Sequence, residues 1–217
     1  MTLGYGIRRE SSFQRLERTA RFEGRVVGVS VDKIVLPNGN AMNQEVVHLP
    51  SAVCIIPLLT VTGGGGVEVV LVEQFRGPLS GYIHEIPAGI LEEGEEPGMC
   101  AARELEEETG YRPGRVAHLT TLYPAPGVSD QQMHFFVGDQ LAEGEQKLEC
   151  AECLTVKRVP LRDLVDSILR PASHKCGQPS AEPGAMIVDT KTQLALMHVV
   201  MRGICGSVED LIGGTST

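Results

Sequence analysis

Between Gly89 and Tyr111 the chain reads GILEEGEEPGMCAARELEEETGY, eight glutamates among small residues, ending in one compact acidic run. If that run is helical, 3.6 residues per turn place Glu104, Glu107 and Glu108 on a shared face. Three neighbouring carboxylates repel one another unless a cation neutralises them, and hard oxygen donors call for Mg²⁺ or Mn²⁺. Arg103, four residues before Glu107, can tie one of the carboxylates in place. Ions held this way acidify water and offset charge on phosphoryl oxygens, so the chemistry in view is hydrolysis of a phosphate-bearing compound. Read without its surroundings, the same run is also what a solvated acidic surface helix looks like.

The elements that would position these carboxylates are legible around them. Leu105, with Ala101 and Ala102 one turn back, supplies an apolar stripe to seat the helix on a core. Glu95 and Glu96 precede Pro97, a residue suited to the first helical turn, where acids meet the positive end of the helix dipole. Gly110 then stops the helix.

Position by position, Gly89, Glu95, Arg103-Glu104-Leu105, Glu107-Glu108 and Gly110-Tyr111 resemble the Nudix box, G-x5-E-x7-R-E-U-x-E-E-x-G-U, where U is a bulky apolar residue; Tyr111 replaces the usual aliphatic. The resemblance implies an α/β Nudix fold, a mixed β-sheet sandwiched between α-helices, with a small N-terminal antiparallel β-sheet module. It divides the chain into residues 1–49, a module for dimerisation and part of the substrate pocket, and residues 50–217, the hydrolase domain. Two further segments, EQFRGP at Glu73 to Pro78 and EIPAG at Glu85 to Gly89, are similar to the ADP-ribose pyrophosphatase branch.

In that branch an arginine ending a strand faces the substrate phosphates. Arg76 is the matching position, and a guanidinium suits a diphosphate by bidentate bonding, although a surface salt bridge is its alternative role. The resemblance also assigns Glu85 and Pro126 to substrate binding, Pro126 by its place sixteen residues past Gly110. It gives metal ligation to Glu104, Glu107, Glu108 and the main-chain carbonyl of Ala88. A late glutamate orients or deprotonates water; Glu152 matches best and Glu149 next. Glu152, Glu107 and Arg103 thus make up the expected catalytic set. The implied reaction is Mg²⁺- or Mn²⁺-dependent hydrolysis of ADP-ribose to AMP and ribose 5-phosphate by a homodimer. Another nucleoside diphosphate sugar or dinucleotide is the alternative substrate, and a non-catalytic ADP-ribose sensor the alternative role. The complete carboxylate set argues against a sensor, which has no need to keep it.

A chain of 217 residues accommodates one full core plus a small module. Its net charge of −9 argues against a general nucleic-acid binder, which needs a basic footprint. No apolar run reaches membrane-spanning length, and the N-terminus lacks the apolar core of a secretory signal, so a cytoplasmic protein is expected. In such a compartment the cysteines are expected as free thiols. Cys150-x2-Cys153 followed by His174-x-Cys176 leaves zinc, a redox pair and unlinked loop cysteines open, the last two residues standing closer than structural zinc sites use. Tryptophan is absent, so base stacking falls to residues such as Tyr5, Phe13 or Phe22.

Alternation from Arg18 to Leu49, with a turn at Pro37-Asn38-Gly39, predicts an antiparallel meander. Ser51 to Thr60 reads as a buried strand, the glycines at 63–66 as a hairpin loop, and VEVVLVEQF as its partner strand. The four glycines lack the Lys-Ser/Thr pair of a phosphate-binding loop. Beyond the box come a strand, a proline-rich loop, a second strand, a polar loop entering a third strand, and an amphipathic helix over Pro160 to Arg170. A Pro/Gly/Ser-rich insertion at His174 to Gly184 is expected as a mobile loop, and GGTST as a frayed tail. Asp189 is expected to cap a last helix whose face Leu194, Met197, His198 and Met201 packs on the sheet, with His198 as a core histidine rather than a ligand.

Overall fold

The structure, a computed structural model, describes residues 7, 11–61, 66–148, 153–169 and 187–205. Tyr5, the glycines at 63–65, Glu149, Cys150, Glu152, the His174 to Gly184 insertion with Cys176, and the tail lie outside the described residues. The chain forms two compact units, residues 1–50 with 123–132, and residues 51–122 with 133–217.

The second unit is built on a seven-stranded sheet. Strands β4 (Ala52–Val61), β5 (Gly66–Arg76), β6 (Gly81–Glu85), β7 (Ala88–Ile90), β9 (Arg115–Leu122), β10 (Met133–Asp139) and β12 (Leu154–Pro160) belong to it. The central order is β12-β5-β4-β10-β9, with β6 on β5 and β7 on β4. Only β4 and β10 run parallel; the other pairs are antiparallel, so the sheet is mixed. The short strands β8 (Tyr111–Arg112) and β11 (Ala142–Glu143) pair with each other. Val61 pairs with Gly66, which makes β4 and β5 the hairpin expected around the glycines.

Strand alternation divides the apolar residues between two cores. Val53 and Ile55 of β4, Val70 of β5 and Phe136 of β10 face helix α1 (Pro97–Thr109), packing on Cys100, Ala101 and Leu105. Cys54, Ile56, Leu58, Val69, Leu71, Phe135 and Val137 point the other way, toward Leu164 of α2 (Leu161–Leu169) and Ala195, Leu196 and Val199 of α3 (Thr190–Cys205). The sheet is thus sandwiched between helices. For α1 this packing decides the outcome. Like charges at i,i+4 cost a few tenths of a kcal/mol, whereas burying one Leu105-sized side chain contributes roughly 1.5–3 kcal/mol.

The buried face of α3 differs from the sequence expectation. Leu194 packs against the core as expected, but Met197 and Met201 are exposed, and the buried residues are Thr192, Ala195, Leu196 and Val199. Both stripes satisfy a helical period; the smaller residues face the core, where Thr192 Oγ1 also accepts the amide of Ile86 at 2.9 Å. His198 is partly buried, and burial with the nearby Arg202 cation holds its pKa below the ordinary histidine value. Met197 and Met201 instead border an apolar groove of about 150 Å³ beside α2. Among the described residues no helix is long and apolar enough to cross a membrane, and Cys54, Cys100 and Cys153 are free thiols.

In the first unit, β1 (Gln14–Glu23), β2 (Gly28–Val35) and β3 (Ala41–His48) make the expected antiparallel meander, which starts four residues earlier than the alternation indicated. Gly39 takes φ +84° in the turn between β2 and β3, and its amide donates to Leu36 O. Ser30, Asp32 and Ile34 share the buried face of β2. Asp32 is bonded by Arg18 at 2.8 and 2.7 Å and by Ser30 Oγ at 2.9 Å, which holds its carboxyl far below the usual range despite burial. His48 bridges Ser30 Oγ and Asp130 Oδ2, each at 2.9 Å. With Val47 N donating to Val128 O at 2.8 Å, this contact explains why residues 123–132 fold with the meander.

Candidate active site

Helix α1 begins at Glu96, whose carboxylate caps it by accepting from the amides of Gly98 and Met99 at 2.8 and 3.1 Å. Pro97 occupies the first turn, and Gly110, at φ +78°, ends the helix in the left-handed conformation that glycine favours. The last carbonyls are also satisfied. Gln146 Nε2 donates to Glu108 O at 2.6 Å and Lys147 N to Glu107 O at 2.9 Å. The helix carrying the acidic run is therefore fixed at both ends.

Within it Glu104 and Glu108 are buried, at 9% and 3% exposure, while Glu107 is more open. Arg103 ties the acids together. Its guanidinium bonds Glu95 at 3.0 and 3.1 Å, Glu107 at 2.9 Å and Glu104 at 2.8 Å. Its bond to Glu95 holds that carboxyl down to about 2, and the surrounding anions raise the pKa of Arg103 itself. Burial pushes the neighbouring Cys100 thiol up to about 12, which makes it unreactive.

Strand β7 runs beneath the helix, with Gly89 paired to Val53. A methyl group on Gly89 would lie 2.0 Å from Glu104 Cδ, so the carboxylate sits directly over the glycine Cα. Glu108 Oε2 accepts from the Ala88 amide at 3.3 Å. These groups line a cleft of about 390 Å³ together with Gln74, Arg76, Ile90, Glu92 and Arg103.

Arg76, the last residue of β5, is held by a network that sequence reasoning recognised only in part. Its Nε and Nη2 donate to the two oxygens of Glu85 at 2.6 and 2.8 Å. Glu85 is fully buried, and its Oε2 also accepts from Lys191 Nζ. Lys191 reaches Asp189 at 3.0 Å, and Asp189 caps α3 as expected, accepting from Thr192 N at 2.9 Å and Thr192 Oγ1 at 2.5 Å. Lys191 belongs to no motif of the sequence. Its signal was a cation in the first turn of a helix, where the dipole disfavours positive charge.

Burial alone would raise the Glu85 pKa, but Arg76 and Lys191 outweigh it and the net shift is downward from 4.5. A carboxyl with a depressed folded-state pKa contributes stability that is present above its unfolded value and is lost as pH falls through the folded one. Thermal melts between pH 6 and pH 3 are therefore expected to show a destabilisation below about pH 4.5 that is reduced in Glu85→Gln. Parallel melting curves for the two proteins would remove Glu85 from the acid limb.

The NUDIX domain model matches residues 48–176. The chain belongs to the Nudix family. It is similar to the ADP-ribose pyrophosphatase of Bacillus subtilis, 43% identical over 144 residues, which cover 65% of this chain and 75% of that protein. It is also similar to the methanol dehydrogenase activator of Bacillus methanolicus, 35% identical over 181 residues, covering 83% and 89%. A solved structure described as an ADP compounds hydrolase superposes with a TM-score of 0.71 over 92% of this chain and 98% of its own, at 18% identity, and so shares the fold.

Nudix hydrolases generally use divalent metal ions, and the donor set of this chain fits one. Glu104 and Glu108 offer hard oxygens, and the missing side chain at Gly89 leaves the carboxylate its place. Glu107 is not among the residues lining the cleft; Arg103 holds it alongside Glu104. Among the described residues no three His, Cys, Asp or Glu side chains converge at ligand range. The physical reason is that Arg103 draws the carboxylates of Glu104 and Glu107 to itself.

Of the other expected substrate residues, Arg76 lines the cleft, whereas Glu85 lies behind it. Pro126 is exposed on a turn in which Ala125 O accepts the amides of Val128 and Ser129, and it groups with the meander. Phe13 and Phe22 are exposed in that same unit.

Proposed function

We propose that the protein hydrolyses ADP-ribose to AMP and ribose 5-phosphate, with Mg²⁺ or Mn²⁺ as the metal. The observation that carries this reading is the cleft itself, which is lined both by a guanidinium, Arg76, and by two buried carboxylates, Glu104 and Glu108. A diphosphate needs both, cationic donors for some of its oxygens and metal-holding carboxylates for the others. The ADP-ribose pyrophosphatase name of the relative at 43% identity supports the choice of substrate.

Glu104, Glu108 and the Ala88 carbonyl would hold the metal, with Glu107 supporting them, and Arg103 keeps the acidic set oriented. When bound, the metal offsets charge on the phosphoryl oxygens and acidifies water. Arg76 binds and orients the diphosphate, and Glu85 fixes the plane of its guanidinium. Pro126 contributes to substrate binding. Glu152, or Glu149 in its place, takes the proton of the water that attacks phosphorus; water adds across the P–O–P link and the two phosphate monoesters separate. Residues 1–49 act as the dimerisation module of a cytoplasmic homodimer and residues 50–217 as the catalytic domain.

A second reading, hydrolysis of another nucleoside diphosphate derivative, is supported by relatives whose names carry other substrates, among them a GDP-mannose pyrophosphatase of Shigella flexneri, 42% identical over 78 residues. The test is incubation with Mg²⁺ and, in turn, ADP-ribose, GDP-mannose, UDP-glucose and NADH, with identification of the products. ADP-ribose is expected to turn over fastest, releasing AMP and ribose 5-phosphate. Faster turnover of another compound moves the assignment to that substrate, and no turnover of any refutes hydrolysis of this substrate class.

A further inference from the structure

We infer that Lys191, from the first turn of α3, is a positioning residue for the substrate diphosphate, acting on Arg76 through Glu85. The inference rests on the proposed role of Arg76 and deepens it. Lys191 is 11% exposed and is not among the residues lining the cleft, so it does not meet a ligand there itself. Its ammonium contacts Glu85 Oε2, the same oxygen that accepts from Arg76 Nη2 at 2.8 Å.

That sharing has two consequences. A carboxylate paired with one guanidinium largely cancels its charge, and a neutral pair attracts phosphate weakly. Glu85 divides its charge between Arg76 and Lys191, and Asp189, 3.0 Å from Lys191, takes up part of the ammonium charge in turn, so Arg76 is less fully cancelled than in an isolated pair. Glu85 takes two of the five N–H donors of Arg76, leaving the remainder for a ligand. The second consequence is geometric. Glu85 ends β6 and is buried, and Lys191 ties its carboxylate to α3, while Asp189 holds Lys191 at 3.0 Å and caps the same helix. The guanidinium therefore rests on an anchor fixed from two elements, and diphosphate binding finds Arg76 already oriented.

The alternative role for Lys191 is structural, joining α3 to the sheet. The two differ in what they move. A positioning role raises KM for ADP-ribose with little effect on kcat and requires Arg76; a structural role lowers thermal stability and leaves KM alone.

The experiment is a double-mutant cycle on the full chain, with Mg²⁺ and ADP-ribose, reading KM, kcat and melting temperature for Lys191→Met, Arg76→Met and the pair. Lys191→Met is expected to raise KM about tenfold, equivalent to ~1.4 kcal/mol, with kcat within about twofold. In the Arg76→Met background the same change is expected to add little, and Lys191→Arg is expected to recover most of the lost affinity. Lys191→Gln, which keeps the stem and a donor, reads the same quantities if the methionine variant does not fold. An unchanged KM in the Lys191 variants, with KM raised by Arg76→Met, overturns the inference and leaves the role of Arg76 standing. An equal KM increase with and without Arg76 also overturns it. An unchanged KM in Arg76→Met itself overturns the role of Arg76, and the inference falls with it.

Discussion

Replacing Glu108 with glutamine is expected to lower kcat for ADP-ribose by about a hundredfold to a thousandfold, the range seen when one preorganised electrostatic group at a reacting centre is removed. The substitution conserves shape. The amide oxygen of glutamine can still accept from the Ala88 amide, now at 3.3 Å from Glu108 Oε2, and the buried position stays filled. What disappears is the charge. Glu104 and Glu108 stand four residues apart on one helix face, and like charges at that spacing cost roughly 0.2–0.5 kcal/mol. Without metal, the variant is therefore expected to melt at or slightly above the temperature of the parent protein, while its activity collapses. Kinetics with Mg²⁺ and melting curves in a chelator measure the two quantities separately. Near-normal turnover would place the metal away from this helix face.

The opposed signs follow from a helix that packing, and not its acidic face, holds in place. That much was readable in the sequence because its determinants are local. Glu96, Pro97 and Gly110 mark the ends of α1 within a few residues of the chain, and Leu105 and Ala101 mark its seat. The meander and the β4–β5 hairpin were readable for the same reason, the first from alternation broken by Gly39 and the second from apolar runs on either side of the glycines. Longer-range features were not. Lys191 meets Glu85 across 106 positions, and His48 meets Asp130 across 82. No periodicity encodes such pairings.

The face of α3 shows a different limit. A stripe through Leu194, Met197, His198 and Met201 and one through Thr192, Ala195, Leu196 and Val199 fit the helical period equally, and hydrophobicity favours the methionines. Contact with the sheet selects the smaller residues, because Thr192 supplies the acceptor for the Ile86 amide. The box residues likewise indicated which carboxylates share a face, but not that Arg103 would gather Glu95, Glu104 and Glu107 around itself.

Gly89→Ala is the other substitution with a large expected effect, and it reaches the same site from below. Gly89 pairs with Val53 within the sheet, so its backbone has little room to withdraw. An added methyl would stand 2.0 Å from Glu104 Cδ and 2.1 and 2.4 Å from its oxygens. The carboxylate must then leave its place and turn toward the cleft that it lines. Because only the tip of a flexible side chain has to move, the cost in stability is expected to be small, whereas divalent-ion affinity is expected to fall at least about tenfold, with kcat/KM down by about two orders of magnitude. The pair Gly89→Ala with Glu104→Ala separates the two effects. Removing the glutamate relieves the clash, so the double variant is expected to melt near Glu104→Ala alone. Its activity is not expected to return, because the oxygen donor is gone. Calorimetric titration with Mn²⁺ and melting curves of all four proteins test this. A Gly89→Ala protein with parental ion affinity would mean that Glu104 holds no metal from its position over Gly89.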